Sequence, residues 1–503
     1  MLLAELVDTH AAVAATRSRL EKRALLAAAL KAAGEGEAEV VASFLSGRPR
    51  QRRTGVGWRS LAELPEPARE PSLTPTQVDQ ALEELAALAG TGSQAARGEA
   101  VRTLFSRATT AEQQFLRALM LGELRQGALD SVLLDAIAAA ADVPVALVRR
   151  AAMFSALSGP IASAALAGGA EALEQFRLEV GRPVRPMLAA SAPDVPAALE
   201  KAGSAVVADG KIDGIRVQVH RAGEEVTVFT RSLDDITDRL PEVVEVALSL
   251  ETDAVVLDGE AIALGPDGRP RPFQETGSRT MSRDAVALRE QIPLTVYFFD
   301  VLHLDGRDLI DSPASERFRA LGGLVPEAAT VPRCPTSDPA EVQNFFAEMI
   351  ARGHEGVVVK NLQAPYDAGR RGSAWVKVKP RHTLDLVVLA VEWGSGRRQG
   401  TLSNIHLGAR DGDGFVMLGK TFKGMTDEML AWQTRRFLEL ETGRSGHVVH
   451  VRPEQVVEVA FDGIQRSPRY PGGMALRFAR VLRYRDDKTA AEADTVETVR
   501  SLA

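Results

Sequence analysis

The sequence is poor in the features that mark secreted, zinc-binding or membrane-embedded proteins. Its 503 residues include a single cysteine, Cys334, which excludes an internal disulfide and a zinc site built from four cysteines. We therefore expect a reducing compartment, the cytoplasm. The N-terminus carries acids at Glu5 and Asp8, where an export signal would have basic residues before an unbroken apolar core, so no signal peptide is predicted.

Long apolar runs are missing as well. The longest uncharged stretch, Ala151 to Ala170, is interrupted by serines, by Gly159-Pro160 and by Gly168-Gly169. It is too broken and too weakly apolar to cross a bilayer. We interpret it as two short core helices and predict no association with a membrane.

The chain also lacks an excess of positive charge, with 60 Lys and Arg residues against 67 Asp and Glu residues and a net charge of −7. Binding of a nucleic acid would thus depend on local basic surfaces. One basic loop spans 394–400, with Arg397 and Arg398. Another spans 46–60, and its arginines are Arg48, Arg50, Arg52, Arg53 and Arg59. This second loop is equally well interpreted as a phosphate-contacting surface or as a solvated connection.

The length predicts roughly three domains, and 45% hydrophobic with 25% charged residues is typical of a globular chain. Residues 1–180 are rich in Ala, Leu and Glu with helical periodicity, which predicts an all-α domain. A Gly- and Pro-containing linker, 181–186, opens an α+β domain over 181–380. Short strands with Gly-rich turns predict a small β-barrel over 381–503, and we expect a monomer.

The most informative segment runs from Asp209 to Arg216 and reads DGKIDGIR, directly before a predicted strand. Lys211 stands next to a Gly-bearing turn, where a backbone can approach a nucleotide closely. A lysine attacks as a nucleophile only after losing a proton, and a positive charge from Arg216 or a bound metal would favour the neutral amine. Taken alone, the pattern could equally be a charged turn.

Other candidates follow in order along the chain. Glu260 ends a predicted strand, and Glu355 precedes another; both supply the oxygen ligands that Mg²⁺ prefers. Phe299 could stack on a base, and Lys377 and Lys379 share one strand face by period-two spacing, as a triphosphate would require. Each has a structural alternative: a surface acid, a core aromatic, or the solvent face of an edge strand.

One competing pattern is the P-loop signature G-x-x-x-x-G-K-[ST] at Gly414 to Thr421. Its loop positions are Phe-Val-Met-Leu, which are good strand formers, and a hairpin turn precedes them. The next helix is predicted only near Thr426. The segment is therefore predicted to be a strand.

Taken together, the motifs resemble those of covalent nucleotidyltransferases, and specifically of ATP-dependent DNA ligases. The segment 211–216 is similar to the family's adenylation motif, which implies that Lys211 becomes covalently adenylated. The resemblance implies a metal role for Glu260 and Glu355. It further implies nucleotide contacts for Asp209, Arg216, Arg231, Glu260, Phe299, Arg371, Lys377 and Lys379, and, in the segment from Arg477 that resembles the last motif, for Arg480 and Lys488.

The resemblance extends into the helical part, where Leu121 to Gly127 is similar to a segment of the DNA-encircling domain of larger ligases. It implies a C-terminal OB-fold, ATP and Mg²⁺ as co-substrate and cofactor, and nicked double-stranded DNA at the nucleoid as the partner. Asp209 departs from the glutamate that many relatives have there. Two alternatives stay open: an RNA-joining or capping nucleotidyltransferase, and a DNA-binding protein without activity.

Overall fold

The computed structural model describes residues 1–34, 36–51, 54–124, 130–282, 284–369 and 371–502, and it leaves aside the side chains at positions 285, 286, 371 and 397. Arg52 and Arg53 of the basic loop lie outside the described residues. The same holds for positions 125–127 of the segment that resembles the DNA-encircling domain.

The N-terminal part is helical, as predicted. Its helices are α1 (Leu3–Ala15), α2 (Arg19–Ala32), α3 (Ala38–Leu45), α4 (Pro75–Ala87), α5 (Ser93–Ser106), α6 (Thr110–Met120), α7 (Asp130–Ala141), α8 (Val145–Met153) and α9 (Gly159–Glu174). They bury one continuous apolar core. Helix α4 begins where the sequence provides a capping box, because the Thr74 hydroxyl accepts from the Gln77 amide and the Gln77 side chain accepts from the Thr74 amide.

The uncharged stretch predicted to form two short helices ends α8 and supplies most of α9 instead. Helix α9 contains one non-helical residue, Gly169, with φ 59° and ψ −140°. Because glycine lacks a Cβ, it adopts this conformation at low cost, and it kinks α9 into two helical segments, 159–168 and 170–174. No helix among the described residues is long and apolar enough to cross a membrane.

The middle part mixes helices and strands. Its strands are β1 (Leu188–Ser191), β2 (Val206–Lys211), β3 (Ile215–Ala222), β4 (Glu225–Thr230), β5 (Ala254–Ala263), β6 (Leu294–Leu304), β7 (Arg307–Asp308), β8 (Arg333–Cys334), β9 (Gly356–Asn361) and β10 (Arg371–Val378). Its helices are α10 (Val195–Ala202), α11 (Pro241–Ser249), α12 (Phe273–Met281), α13 (Ala285–Arg289), α14 (Ala314–Leu324) and α15 (Pro339–Ala351).

These strands form two five-stranded sheets. One has the order β1-β10-β9-β2-β8 and the other the order β4-β3-β5-β6-β7. Strands β1 and β10 pair in parallel, with Ser191 opposite Lys377, whereas the neighbouring strands pair antiparallel. Apolar residues cover the faces of both sheets and form separate clusters. This pairing brings the ends of β2, β9 and β10 together.

The C-terminal part is a curled, strand-rich domain, which confirms the predicted OB-fold architecture. Its elements are β11 (His382–Trp393), β12 (Leu402–Asp411), β13 (Gly414–Thr421), α16 (Asp427–Glu439), β14 (Glu441–Ser445), β15 (Val448–Val451), β16 (Val456–Phe461), β17 (Gly463–Arg466), β18 (Met474–Arg477), β19 (Arg480–Tyr484) and α17 (Val496–Ser501). Strand β11 pairs with β12, β15 and β16, which curls the sheet. Because Gly414 to Thr421 is strand β13, the P-loop interpretation is excluded.

The linker between the helical and middle parts is hydrogen-bonded to β3. The Gln218 side chain accepts from the Val184 amide at 2.7 Å and donates to the Val184 carbonyl at 3.0 Å. The Gly181 amide donates to Nδ1 of His220 at 3.0 Å. Burial lowers the pKa of His220 to about 3, so this ring is neutral at physiological pH and can accept that bond. The linker is thus a fixed junction.

Candidate active site

A cavity of about 1530 Å³ lies between the two sheets of the middle part, with walls completed by the helical and C-terminal parts. Its lining includes most of the residues that the sequence nominated. These are Asp209, Lys211, Arg216, Arg231, Glu260, Phe299, Glu355, Lys377 and Lys379. The fold therefore brings together residues that are spread over 170 positions of the chain.

Lys211 is the last residue of β2 and points into this cavity beside Glu355. Its ammonium group forms a salt bridge with one carboxylate oxygen of Glu355, and the Lys379 ammonium forms a salt bridge with the other. The backbone supports this arrangement, because the Glu355 amide donates to the Lys211 carbonyl at 2.9 Å. Burial alone would raise the pKa of Glu355, but the two lysines outweigh burial and lower it.

Two glycines allow the backbone to approach closely around Lys211. A Cβ on Gly214 would stand 2.3 Å from the carbonyl oxygen of Ala261 and 2.9 Å from Cγ of Glu260. Gly356 has φ 138°, and a Cβ there would stand 2.2 Å from the carbonyl oxygen of Val378. Side chains at these positions would push β5 or β10 away, so the glycines are needed for the packing of the site.

Glu260 faces the cavity from β5, where it is the cross-strand partner of Arg216. Burial raises the pKa of Glu260 to about 7, although Lys211 and Arg216 act to lower it. No cation among the described residues lies within salt-bridge distance of this carboxylate. Glu260 is therefore a buried carboxylate near Lys211 that a bound cation would stabilise in its charged form.

Arg216 is held by the protein on several sides. Its Nε and Nη2 atoms donate to the two carboxylate oxygens of Asp258 at 2.9 and 2.6 Å, and Nη1 donates to the Met187 carbonyl at 2.6 Å. The Tyr366 hydroxyl, 3.1 Å from Nη2, also donates to Asp258 at 2.6 Å. Arg216 thus lines the cavity as a fixed positive charge.

The end of the cavity beside Lys360 of β9 and Trp375 of β10, which pair antiparallel, is lined by aromatic rings. Phe299 and Trp375 meet edge to face, with ring centroids 5.8 Å apart. Val358 on β9 lies between this end and Lys211, because Val358 pairs with Lys377 and Asp209 on the neighbouring strands. Flat aromatic and aliphatic walls of this kind suit a heterocyclic base.

Asp209 lies at the same end but is already engaged. Both of its carboxylate oxygens bind Arg333, at 2.6 and 2.9 Å, and Lys360 lies 2.7 Å from one of them. Burial alone would raise the pKa of Asp209, but Lys360 and Arg333 outweigh burial and lower it. The side chain predicted to contact the nucleotide therefore acts in an ion cluster.

Of the nominated residues that the structure describes, Arg480 and Lys488 do not line the cavity. The side chain of Arg371 lies outside the described residues. Arg480 lies 3.8 Å from Asp462, and Lys488 lies 2.6 Å from Asp385, with both pairs inside the C-terminal part. The C-terminal residues that do line the cavity include Asp462, Arg477 and Phe478. The roles of Arg371, Arg480 and Lys488 stay predictions.

Sequence reasoning noted Lys360 as a base after Glu355 but gave it no role, and it missed Arg333 and Trp375. A signal existed for Lys360 and Trp375, since period-two spacing from Val358 and from Lys377 places them on the cavity face of their strands. No such signal existed for Arg333, whose pairing with Asp209 joins positions 124 apart.

The basic loop of the helical part reaches the mouth of the cavity. Gly47, Arg48, Pro49, Gln51 and Thr54 line it. Arg50 is engaged elsewhere, in a salt bridge with Asp79 on α4. The loop is therefore anchored to its own domain while Arg48 faces the entrance.

The sequence matches three known family descriptions along its length. "DNA ligase N terminus" matches residues 59–138, "ATP dependent DNA ligase domain" matches residues 186–379, and "ATP dependent DNA ligase C terminal region" matches residues 398–488. The middle match contains Lys211, Glu260 and Glu355.

Named bacterial proteins match over their full length. "Probable DNA ligase" of Beutenbergia cavernae is 63% identical over 513 residues, covering 100% of this chain and 100% of that protein. Proteins of the same name from a Nocardioides species and from Kineococcus radiotolerans are 62% and 60% identical, covering 100% of this chain and 99% and 100% of their own lengths.

Solved structures agree in fold. The structure named Pmar-Lig_PreS3 superposes with a TM-score of 0.62 at 18% identity, covering 95% of this chain and 99% of that one. A second, Pmar-Lig_Pre., gives a TM-score of 0.61 at 17% identity over 96% of this chain and 99% of its own. The overall arrangement of the three parts is therefore shared with these structures.

Proposed function

The chain belongs to the ATP-dependent DNA ligase family, and from this membership we propose how its own residues seal nicked double-stranded DNA. Lys211 is the residue that receives AMP. The observation that carries the proposal is the contact of Lys211 with Glu355 at the end of β2, with Lys377, Lys379 and Glu260 lining the same cavity and an aromatic pocket at its far end.

In the first step, Nζ of Lys211 attacks the α-phosphorus of ATP. A phosphorus–nitrogen bond forms, the bond to the bridging oxygen breaks, and pyrophosphate leaves. The ammonium must first lose a proton, and the salt bridge with Glu355, which favours the charged form of Lys211, must be released for this. Lys379 bonds to the same carboxylate, and its positive charge near Lys211 favours the neutral amine.

The later steps move AMP onto DNA. The 5′-phosphate at the nick attacks the lysyl-AMP phosphorus and releases Lys211, and the 3′-hydroxyl then attacks the activated 5′-phosphate and displaces AMP. Lys377, Lys379, Arg216 and Arg231 line the cavity with positive charge, which offsets the negative charge that develops on the phosphate oxygens. The same residues thus serve all three phosphoryl transfers.

The carboxylates fit a divalent cation. Glu260 lacks a cationic partner among the described residues and has its pKa raised by burial, and Glu355 supplies a second oxygen ligand in the same cavity. Within the described part of the chain, no cluster of three or more His, Cys, Asp or Glu side chains could hold a metal by itself. This matches the preference of Mg²⁺ for one or two carboxylates plus nucleotide phosphates. Bound there, Mg²⁺ would supply charge stabilisation to the phosphates.

In this proposal each of the three domains has its own function. Residues 1–180 bind DNA, residues 181–380 carry out adenylation, and residues 381–503 form the OB-fold domain. The entrance combines Arg48 of the basic loop with Arg477 and the rings of Phe273 and Phe478, of which Phe478 is 57% exposed. Such a surface suits a nucleic-acid backbone and its bases, in the cytoplasm where the nucleoid lies.

The first test is labelling with α-³²P-ATP and Mg²⁺, followed by denaturing electrophoresis of the wild type and Lys211→Ala. We expect stable label in the wild type and none in the variant. Lys201→Met, which changes an exposed lysine on α10, is the matched control and should label fully. Absence of label from wild-type protein shown to be free of AMP would overturn the lysyl-AMP mechanism.

The second test separates DNA joining from RNA joining. Labelled enzyme is mixed with a nicked DNA duplex or a nicked RNA duplex of the same sequence, with and without EDTA. We expect sealed product from nicked DNA with Mg²⁺ only. Preferential sealing of the RNA duplex would assign the chain to RNA joining, contrary to the proposal.

A further inference from the structure

The C-terminal domain has a smaller cavity of its own, which the mechanism above does not use. Its volume is about 290 Å³, and it lies between helix α16 and strand β19. Met429 and Trp432 line it from the helix, and Leu482 and Tyr484 line it from the strand. None of the described residues that line it also lines the cavity that contains Lys211. We call this cavity the α16–β19 groove.

Two aromatic rings form one wall of the groove, and the protein holds them in place. The rings of Trp432 and Tyr484 have centroids 4.5 Å apart, with planes inclined by 39°. The buried ring of Phe437 lies 5.9 Å from that of Tyr484, and the Tyr484 hydroxyl donates to Oε1 of Gln433 at 2.8 Å. Because the polar atom of Tyr484 already has a partner, this wall offers apolar surface to a ligand.

Leu482 is an apolar side chain that the fold leaves 45% exposed beside this wall. On β16, Glu458 pairs with Arg483 and Val459 pairs with Val481. Leu482 is therefore the extra residue of a β-bulge, without a partner across the strand. Bulges of this kind re-aim side chains at the edge of a sheet, and here the side chain lines the groove.

Strand β19 also provides a sheet edge. Among the described strands it pairs only with β16, so its other side is not covered by a strand. On that side the Val481 amide donates to the Lys423 carbonyl at 2.9 Å, which leaves 482–484 as the part of the edge beside the groove. A sheet edge next to an apolar pocket is the arrangement by which an extended segment adds as a further strand.

The charges around the groove are mainly negative. Glu428 and Asp486 line it, and no lysine or arginine of the described chain lies within salt-bridge distance of either carboxylate. Asp486 accepts one hydrogen bond, from the Gln455 side chain at 3.0 Å. Arg483, which also lines the groove, is paired with Glu458 at 2.7 Å. Two unpaired carboxylates repel a nucleic-acid backbone and attract a cationic partner.

We propose that the α16–β19 groove is a docking site for an extended segment of a partner protein. In that segment a large apolar side chain fills the groove, and flanking lysine or arginine residues pair with Glu428 and Asp486. The contact area is small, so the association is transient. The inference goes beyond the proposed function and does not depend on it, because the groove and the cavity of Lys211 share no described residue.

The experiment uses a short peptide as the probe. Alternate side chains of a strand share one face, so the peptide Lys-Thr-Phe-Thr-Lys presents its phenylalanine and both lysines together. The peptide carries fluorescein and blocked ends, and fluorescence anisotropy measures its Kd with the full-length enzyme at low ionic strength. We expect saturable binding. Alanine in place of phenylalanine should weaken it by about tenfold or more, as for loss of a buried aromatic ring.

The apolar part of the groove is tested with Leu482→Ser, which should weaken peptide binding by about fivefold or more. Leu438→Ser is the matched control, because Leu438 is 38% exposed on α16 and does not line the groove. It should bind the peptide as the wild type does. The unfolding temperatures of both variants show whether they are folded.

The acidic part is tested with Glu428→Gln, an exposed position that is expected to fold normally. It should weaken peptide binding by about two- to fivefold at low ionic strength, as for loss of one exposed ion pair. Glu439→Gln, an exposed acid at the other end of α16, is the control and should not change the affinity. Glu428→Gln should be labelled by α-³²P-ATP at the wild-type rate, since it lies outside the active site.

Absence of saturable binding to the wild type would overturn the inference, as would equal losses in Leu482→Ser and Leu438→Ser. Two further results would assign the groove to another occupant and reject a protein segment. One is displacement of the peptide by a nicked DNA duplex, which would make the groove part of the DNA surface. The other is a wild-type dimer in sedimentation that Leu482→Ser dissociates, which would place a second copy of the chain there.

Discussion

Arg477 of the C-terminal part and Asp213 of the loop after Lys211 form a salt bridge of 3.1 Å across 264 positions of the chain. The Arg477 guanidinium also lies 5.5 Å from the ring centroid of Phe273 on α12. Lys379 lies 3.5 Å from Asp462, which adds a second charged contact between the two parts. Together these contacts hold the OB-fold domain over the cavity that contains Lys211.

Arg477→Ala should therefore weaken the closed arrangement. A salt bridge with both side chains about one-quarter exposed contributes about 1 kcal/mol, which corresponds to about a fivefold change in the ratio of closed to open molecules. We expect adenylation of Lys211 to slow by about that factor. The measurement is single-turnover labelling with α-³²P-ATP.

Arg466→Ala, an exposed arginine on β17, serves as the control for Arg477 and should adenylate at the wild-type rate. Sealing of a nick that already carries 5′-AMP bypasses the first step and should change less in Arg477→Ala than adenylation does. Equal losses in both reactions would contradict a role limited to closure.

Gly214→Ala should reduce both stability and adenylation, because the added methyl group would clash with β5. The added methyl would stand 2.3 Å from the Ala261 carbonyl oxygen, so β5 or the loop must move. We expect a loss of about 2–4 kcal/mol in the free energy of unfolding of the middle domain and little adenylation. Calorimetry and ATP labelling measure the two effects.

Gly322→Ala is the matched control for Gly214→Ala. Gly322 lies inside α14, and a Cβ there would meet no heavy atom within 4 Å. Alanine favours the helix over glycine by about 0.5–1 kcal/mol, so this variant should keep full activity and gain slightly in stability. Equal behaviour of the two variants would refute the packing argument.

Arg317→Ala should be among the most destabilising substitutions in the middle domain. Its guanidinium binds both carboxylate oxygens of Asp300 at 2.8 and 3.1 Å, and both residues are fully buried. Removing one partner leaves a buried charge, which costs about 3–5 kcal/mol. Arg319→Ala, on the exposed face of the same helix, should change the unfolding temperature little; a similar drop in both would be inconsistent with this account.

Glu392 gives a pH-dependent prediction in the C-terminal domain. It accepts hydrogen bonds from Asn404 at 2.6 Å and Lys420 at 2.6 Å, and His406 lies 2.9 Å away. Burial alone would raise the pKa of Glu392, but these partners lower it to about 2. Because the pKa is lower in the folded state, the stabilisation is complete above the unfolded value near 4.5 and is lost as pH falls toward about 2.

Glu392→Gln should accordingly lower the unfolding temperature by a constant amount between pH 8 and pH 5.5. The difference in unfolding temperature should shrink below about pH 4.5, because the ionised carboxylate of the wild type then contributes less to the stability of the folded state. Calorimetry of both proteins across this range measures it. A deficit that grew toward low pH would have the wrong sign for this mechanism.

The overall fold was predictable because its signals are local. Helical periodicity, the Pro-containing linker and the helix start expected near Thr426 each depend on a few neighbouring residues, and α16 begins at Asp427 with Thr426 as its N-cap. The grouping of Lys377 with Lys379 follows from strand alternation alone. Rejection of the P-loop was correct for the same reason, since its residues are strand formers.

The ion pairs of the site could not be predicted, because they depend on which strands become neighbours. Asp209 binds Arg333 only because β2 and β8 pair, and Arg216 binds Asp258 only because β3 and β5 pair. The contact of Lys488 with Asp385 likewise joins residues 103 positions apart, and it leaves the predicted role of Lys488 toward the nucleotide a prediction. The partner of each charged side chain is set by the order of the strands in the sheet and not by spacing along the chain.

The parallel pairing of β1 with β10 means that the polypeptide enters and leaves the adenylation domain at neighbouring strands. The chain enters at Leu188 of the edge strand β1, and Ser191 at the other end of β1 pairs with Lys377, just before the chain leaves β10 at Val378. The adenylation domain is thus joined to its two neighbours through one pair of strands, and on the helical side the hydrogen bonds of Gly181 and Val184 to β3 keep that connection fixed.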